Sequence, residues 1–190
     1  MELILASQSP RRRELLSRLG LRFSVEAADV DETMDPNLTA KQEVARLSAD
    51  KAAAIAVRHG LDDVVLAADT VVVLDGQILG KPRDEDDARA MLQSLSGRSH
   101  QVLTGITVRR GERVLTEVET TDVWFRPMTD GEIAAYLASG EPMDKAGAYG
   151  IQGLAGAFIP RIEGDYYNVM GLPLSLACDL LRRVGVGLFE

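Results

Sequence analysis

The chain has 190 residues, of which 46% are hydrophobic and 26% are charged, a composition typical of a soluble globular protein. With 17 Gly, 7 Pro and a single cysteine, it is excluded from the collagen-like, disordered and disulfide-stapled classes. Its formal net charge of -8 argues against a surface that binds nucleic acid or anionic membranes. Any anionic ligand must therefore be held by a local cluster of cations.

The length falls within the usual size of one domain, so we expect a single domain over residues 1–190. No apolar run approaches the roughly 18 residues that a membrane-spanning helix needs. The N-terminal segment 1–13 places its short apolar stretch before its positive charges, the reverse of a secretory signal. These features predict a cytoplasmic protein without a membrane partner or a nucleic-acid partner.

Strand and helix patterns alternate along the first half of the chain. In chain order they predict a strand at 3–6, helices at 10–19 and 39–59, a strand at 64–74 and a helix at 85–95. A hairpin-like segment follows the first helix, and a loop leads from it into the second.

The second half begins with two alternating patterns, at 101–109 and 114–126, which predict antiparallel strands. Thr129 and Glu132 have the spacing of a capping box, so a helix is expected to begin there. A glycine-rich segment at 147–156, one or two strands within 157–170 and a C-terminal helix follow. Helices on a mixed sheet define an α/β protein.

A first candidate anion site follows the opening strand. Ser9 is a good N-cap and Pro10 suits the first helical position, so the free amides of this helix point beyond the end of the strand. Arginines at 11–13 add charge, although cations oppose the dipole at a helix N-terminus. This conflict favours an anion partner for the arginines. The alternative is a capped helix whose arginines are solvated.

A lysine interrupts the apolar stripe of the second predicted helix. Val44, Leu47 and Ile55 lie on one face, and Lys51 occupies the position between them. It either delivers a cation to a ligand or snorkels to the edge of the core. Lys81, in a Gly-Lys-Pro turn, offers a second cation, and together with the arginines these lysines could hold a triphosphate.

Asp69 breaks the long apolar strand, where an unpaired buried carboxylate would be unfavourable. It either caps the strand structurally or has a cation, a metal or a catalytic task. Asp31 and Glu32, in the loop before the second helix, could each join it around Mg²⁺, which takes one or two carboxylates plus phosphate oxygens. Cations facing such carboxylates are what hydrolysis of a phosphoanhydride requires.

The sequence resembles the Maf family, the septum-formation-associated nucleoside triphosphate pyrophosphatases. The motifs that carry the resemblance are, in chain order, Leu5–Arg12, Ala68–Thr70, Gly80–Pro82, Leu95–Gly97 with His100, Thr104–Gly105, Asp144–Gly153 and Gly171–Leu174. They span the chain from about Leu3 to Arg183.

The resemblance implies an elongated α/β fold like that of inosine triphosphate pyrophosphatases. In it, a central mixed β-sheet is flanked by helices, and two lobes enclose an active-site cleft. The implied reaction converts a nucleoside triphosphate to the monophosphate and pyrophosphate with Mg²⁺ or Mn²⁺. A homodimer is also implied.

The family's functional positions carry over to named residues of this chain. The resemblance implies that Asp69 is the proton acceptor, that Ser7, Arg11, Arg12, Lys51 and Lys81 bind phosphate, that Glu32 and Asp69 hold the metal, and that Arg11, Thr70 and Gln152 determine the substrate.

The tract Asp144–Gly153 resembles the branch of the family that acts on dTTP and UTP rather than on 7-methyl-GTP. Its glycines allow the backbone to approach a flat base, and the Gln152 amide can donate to and accept from a pyrimidine edge. Two alternatives stay open. One is a nucleotide-binding regulator of septum formation with incidental hydrolysis, and the other is a housecleaning enzyme for modified pyrimidine nucleotides.

Overall fold

The computed structural model describes residues 1–187 and shows an α/β protein in which helices flank a central mixed sheet. The strands are β1 (Leu3–Ala6), β2 (Ser24–Glu26), β3 (Val64–Leu74), β4 (Gln77–Leu79), β5 (Ser99–Arg110), β6 (Arg113–Trp124) and β7 (Arg161–Glu163). The helices are α1 (Pro10–Ser17), α2 (Ala40–Ala56), α3 (Glu85–Leu95), α4 (Asp130–Ala138), α5 (Tyr166–Met170) and α6 (Leu174–Arg183). The predicted fold class is confirmed. Within residues 1–187, no helix is both long enough and apolar enough to cross a bilayer.

The sheet has the hydrogen-bonded order β2-β1-β3-β5-β6-β7, and β4 pairs with β3. Strand β1 is parallel to both of its neighbours, with Ile4 opposite Ser24 in β2 and opposite Val65 in β3. The hairpin-like segment predicted after the first helix is therefore wrong. Parallel neighbours need a crossover connection, and α1 lies in the connection from β1 to β2.

Most element boundaries follow the sequence patterns. The bounds of β1, β3 and α3 are confirmed as predicted, and α2 begins after Thr39, whose side chain forms a capping box with Gln42. The capping box of Thr129 and Glu132 is also confirmed. The short strands β2 and β4 were not predicted. Within 157–170, the expected strand corresponds to β7, but α5 is a helix, whose first turn is supported by Asp165 accepting from Tyr167 N at 2.7 Å.

The chain forms two compact units, and strands β3, β5 and β6 contribute residues to both. The first unit consists of Met1–Asp69, Thr104–Glu119 and the chain from Gly171 onward. Its core joins α2 to β1 and β3 through a cluster of buried apolar side chains, Ile4, Ala6, Ala52, Ile55, Val65 and Ala67. The second unit consists of Thr70–Leu103 and Thr120–Met170. In it, α3 packs against α4.

Gly105 allows β5 to approach α2 within the first unit. A Cβ atom at this position would overlap the Val44 carbonyl and would lie 2.9 Å from Ala45 N. Because these neighbours are backbone atoms of a helix, they cannot move aside as a flexible side chain could. The close approach fixes the position of the helix that carries Lys51.

Candidate active site

The segment that follows β1 is folded by its own serine side chains. Ser9 caps α1 by accepting from Arg12 N at 3.5 Å, and Ser7 Oγ accepts from Ser9 N at 3.1 Å. Pro10 occupies the first helical position, as predicted. Ser7 is buried, with 7% of its surface exposed, so its hydroxyl group is fixed beside the start of the helix.

The Arg12 side chain turns back toward this serine rather than into solvent. Its Nε donates to the carbonyl of Gly171 at 2.8 Å and its Nη1 to Ser7 Oγ at 3.5 Å. Burial lowers the pKa of Arg12 and Arg11 lowers it further, whereas the carboxylates of Asp69 and Glu32 act in the opposite direction. An arginine nevertheless stays protonated at neutral pH. Arg12 is therefore a fixed cation, half-buried and held by neighbouring oxygens.

Lys51 brings two carboxylates of the first unit together. Its Nζ lies 2.7 Å from Asp69 Oδ1 in β3 and 2.7 Å from Glu32 Oε1 in the loop before α2. The Lys51 side chain is 10% exposed and that of Asp69 is 13% exposed, whereas Glu32 is 60% exposed. Lys51 therefore points inward, as its helical position predicts, and the snorkelling alternative does not describe it.

The Lys51 to Asp69 pair explains why a carboxylate is tolerated in an otherwise apolar strand. Residues on both sides of Asp69 and Thr70 in β3 are buried. A charge at such a position is stabilised only by a partner that satisfies it, and the Lys51 ammonium supplies one. The pair leaves Glu32 as the solvent-accessible carboxylate of this cluster.

Asp31 takes a different role from its neighbour Glu32. Its Oδ1 accepts from Thr33 N at 2.8 Å, and hydrogen bonds from the Thr33 side chain and backbone lower the pKa of Asp31. It thus stabilises its own turn. Of the two candidate carboxylates in this loop, Glu32 is the one that contacts Lys51.

The donor chemistry of this cluster fits a hard divalent cation. Carboxylate oxygens are the ligands that Mg²⁺ takes from proteins, and water and substrate phosphates supply the others. Asp69 and Glu32 approach a common cation, the Lys51 ammonium. No group of three or more His, Cys, Asp or Glu side chains within residues 1–187 is placed to hold a metal. Asp69 and Glu32 are the two side chains of this cluster with the donor chemistry for such a cation.

The remaining residues predicted for the site lie outside the cluster around Lys51. Arg11 is half-buried in the first turn of α1, whereas Thr70, Lys81 and Gln152 belong to the second unit. Lys81 is exposed and follows Gly80, whose carbonyl accepts from Gly147 N at 3.0 Å, so its turn is tied to the glycine-rich segment. Gln152 is exposed within that same segment.

Gly171 contributes to the arrangement although no sequence pattern indicated an individual role for it. Its carbonyl accepts the Arg12 Nε hydrogen bond from a position 159 residues away in the chain. Its φ of 107° lies in a region that favours glycine. The pattern of side chains in a sequence does not indicate which backbone carbonyl will accept such a hydrogen bond. The only available signal was that Gly171 opens the last motif of the resemblance.

The fold and this cluster define the class: an α/β protein in which an arginine-rich helix N-terminus, a buried lysine and two carboxylates are suited to a phosphate ester or anhydride. The family model of Maf-like proteins matches residues 2–184. The chain belongs to this family, which confirms the resemblance.

Two curated relatives are similar over nearly their whole length. The chain is 52% identical over 188 residues to the dTTP/UTP pyrophosphatase of an Anaeromyxobacter species, covering 96% of this chain and 89% of the relative. It is 53% identical over 180 residues to the dTTP/UTP pyrophosphatase of Photobacterium profundum, covering 92% of each. Among solved structures, a HAM1 protein from Coxiella burnetii is 16% identical with a TM-score of 0.46, over 66% of this chain and 73% of that one.

Proposed function

We propose that this protein is a nucleoside triphosphate pyrophosphatase that hydrolyses dTTP and UTP to the monophosphate and pyrophosphate. The observation that carries the proposal is the contact of Lys51 with both Asp69 and Glu32, in the same unit as the arginine-rich start of α1. The curated relatives at 52% and 53% identity, each named a dTTP/UTP pyrophosphatase, support the substrate.

Asp69 is the proposed proton acceptor. Water attacks the α-phosphorus, a new phosphorus–oxygen bond forms, and the water proton passes to the Asp69 carboxylate. The bond from the α-phosphorus to the oxygen that bridges to the β-phosphorus breaks, and pyrophosphate leaves with that oxygen. Lys51 orients the base, because its ammonium holds Asp69 Oδ1 at 2.7 Å.

Phosphate binding is assigned to the cations and to the serine beside them. Arg12 is held by Gly171 and Ser7, so its orientation is set before a ligand arrives. A prepositioned guanidinium loses little on binding and presents a planar fork to phosphate oxygens. Ser7, Arg11, Lys51 and Lys81 are the further phosphate contacts that we propose.

A divalent cation, Mg²⁺ or Mn²⁺, is part of the proposal, with Glu32 and Asp69 as its protein ligands. Bound there, it would act as a Lewis acid that neutralises charge on the phosphate oxygens. Glu32 suits this role because it is exposed at 60% and can exchange its contact with Lys51 for another cation.

Recognition of the base is assigned to Arg11, Thr70 and Gln152. The Gln152 amide is exposed and makes no hydrogen bond within residues 1–187, so both its donor and its acceptor are available to a pyrimidine edge. We also propose a cytoplasmic homodimer, as the resemblance implies, and a housecleaning role for the activity. The alternative is a nucleotide-binding regulator of septum formation in which hydrolysis is incidental.

The experiment is a panel of triphosphates assayed for pyrophosphate release with Mg²⁺ or Mn²⁺. The proposal expects dTTP and UTP to have the highest kcat/KM among the common nucleotides. Tight binding of nucleotides without product would contradict it and support the regulator of septum formation instead. A preference for modified over ordinary pyrimidine nucleotides would change the physiological substrate but keep the enzyme.

A further inference from the structure

The segment that carries Gln152 has a constrained backbone. Gly147 and Ala148 follow one another with φ of 69° and 59°, both in the left-handed region that an alanine rarely adopts. Ala148 is fully buried, and Gly147 N donates to the Gly80 carbonyl at 3.0 Å. Such a conformation persists only where the surroundings hold it. The contacts that hold the next residues, 150–154, therefore matter for the placement of Gln152.

Glu141 binds this segment on both sides of Gln152. Its Oε2 accepts from Leu154 N at 3.0 Å, and its Oε1 accepts from the Tyr136 hydroxyl at 2.8 Å. The Tyr136 hydroxyl in turn accepts from Gly150 N at 3.3 Å. The Glu141 carboxylate thus contacts the Leu154 amide directly and the Gly150 amide through the Tyr136 hydroxyl.

The tyrosine that completes this connection is buried and held in place by its helix. Tyr136 is 3% exposed on α4, where Ile133 and Leu137 are also buried. Burial, and next the hydrogen bond to Glu141, raise the pKa of Tyr136, so the hydroxyl keeps the proton that it donates. The bond therefore has a fixed direction, from the tyrosine to the carboxylate.

Space around the segment is filled by the same residues. A Cβ on Gly153 would overlap the Glu141 carboxylate, and a Cβ on Gly150 would lie 2.8 Å from Lys145 Cε. That Cβ position is also 3.6 Å from Gln152 Oε1. The Lys145 ammonium donates to the Glu141 carbonyl at 2.6 Å, which ties the lysine to the same turn. The backbone of Gly150–Gly153 thus lies directly against Glu141 and Lys145.

We propose that Glu141, acting through Tyr136 and the Leu154 amide, is a positioning residue that fixes Gln152 and thereby sets discrimination between nucleotide bases. It does so without touching the nucleotide. The inference rests on the proposed function, in which Gln152 contacts a pyrimidine base. It adds that the precision of this contact comes from a carboxylate outside the glycine-rich segment.

The test compares Glu141→Gln and Tyr136→Phe with the wild type, using kcat and KM for dTTP, UTP, CTP, ATP and GTP. Tyr136→Phe removes both hydrogen bonds of the hydroxyl, whereas Glu141→Gln leaves one oxygen that cannot accept from Leu154 N and the Tyr136 hydroxyl together. Both variants keep the approximate size of the side chain. Loss of one well-placed interaction corresponds to about a tenfold change in an equilibrium constant, so KM for dTTP and UTP should rise about tenfold. The kcat should stay within about twofold, because the proposed base and its lysine belong to the other unit.

Glu163→Gln is the matched control. Glu163 lies in the same unit and is paired with Arg161 at 2.8 Å, but the side chain is 67% exposed. This variant should keep the wild-type KM values and the wild-type preference for bases. If Glu141→Gln and Tyr136→Phe keep the wild-type preference, or lower kcat/KM equally for all five nucleotides, the inference is overturned.

A double-variant cycle separates positioning from general destabilisation. In a Gln152→Ala background, Glu141→Gln should cause no further loss of discrimination, since the residue that it positions is already absent. A full additional loss in that background would contradict the inference. A change at Glu163 should not alter the discrimination between bases.

Hydrogen exchange distinguishes failure of this inference from failure of the proposed function. In Glu141→Gln the amides of Gly150 and Leu154 should exchange faster than in the wild type, whatever the substrate. If the wild type hydrolyses neither dTTP nor UTP, the proposed function fails, and with it the assignment of base discrimination to Glu141. Unchanged exchange of the two amides would overturn the positioning of the segment itself.

Discussion

The Lys51 ammonium lies 2.7 Å from Asp69 Oδ1 within the first unit of the molecule. A helix and the central strand of the sheet each contribute one charge to this pair, and both side chains are nearly buried. Breaking a buried pair leaves the other charge uncompensated. The two residues are therefore coupled in stability, and the proposed function couples them in catalysis as well, so single changes at either one should be informative.

Asp69→Asn should retain the fold and lose most of the activity. The amide is nearly the same size and can still accept from Lys51, but it cannot accept a proton from water. General-base catalysis contributes about 10²- to 10⁴-fold, so kcat for dTTP should fall within that range. Asp75→Asn is the matched control, because Asp75 is 68% exposed and its φ of 50° suits asparagine. An Asp69→Asn enzyme with wild-type turnover would exclude Asp69 as the base.

Lys51→Met should weaken both the fold and the reaction. It leaves Asp69 without its ammonium partner, and such a change costs roughly 3 kcal/mol in the free energy of unfolding. Lys51 is also a proposed phosphate contact, and removal of such a charge should lower kcat/KM by at least about 100-fold. Lys41→Met, at an exposed position of the same helix, should leave both quantities unchanged. Urea unfolding and steady-state kinetics on the two variants measure the difference.

Gly105→Ala should destabilise the first unit. The added Cβ would overlap the Val44 carbonyl of α2, and such overpacking costs about 1–3 kcal/mol. Gly131→Ala, in the first turn of α4, has its nearest atom at 3.9 Å and should raise stability slightly, since alanine suits a helix better. Thermal unfolding of both variants gives the comparison. A Gly105→Ala variant as stable as the wild type would show that β5 does not press against α2.

Acid should destabilise the protein through His100. Its side chain is 4% exposed, with Nε2 2.7 Å from the Tyr149 hydroxyl, and burial lowers the pKa of His100 to about 4. The unfolded chain, with a histidine pKa near 6.5, takes up the proton first. The stabilising contribution is therefore complete above about pH 6.5 and is lost as the pH falls toward 4.

The size of this effect can be measured on one variant. Between pH 7 and pH 5, linkage predicts a loss of about 2 kcal/mol in the free energy of unfolding from this histidine. His100→Gln removes the titrating group, so its unfolding free energy should fall by correspondingly less over the same interval. Equal pH dependence in the variant and the wild type would show that His100 is not responsible.

Sequence patterns could predict that Lys51 and Asp69 each have a partner, because the signals at both residues are local. Lys51 stood out on an apolar helical face and Asp69 in an apolar strand, and both departures from pattern indicated a partner. The resemblance supplied Ser7, Arg12 and Glu32, which the structure places at Lys51 or at the start of α1. The resemblance could not indicate that Asp31 would accept hydrogen bonds within its own turn, because Asp31 and Glu32 carry the same chemical group.

Other features depend on contacts that sequence patterns do not record. Strands β2 and β4 have three residues each, too few for an alternating pattern to be distinguished. The Gly171 carbonyl accepts from an arginine 159 residues away, and the Glu141 carboxylate accepts from Leu154 N across a turn. Their roles follow from the tertiary fold alone.

The site of water attack tests the central claim most directly. The protein is incubated with dTTP and Mg²⁺ in water labelled with heavy oxygen, and the products are analysed by mass spectrometry. Attack at the α-phosphorus predicts that the label enters the monophosphate, that the pyrophosphate is unlabelled, and that the two products form in equal amounts. Label in the pyrophosphate, release of orthophosphate as the primary product, or no turnover of dTTP and UTP would contradict the account.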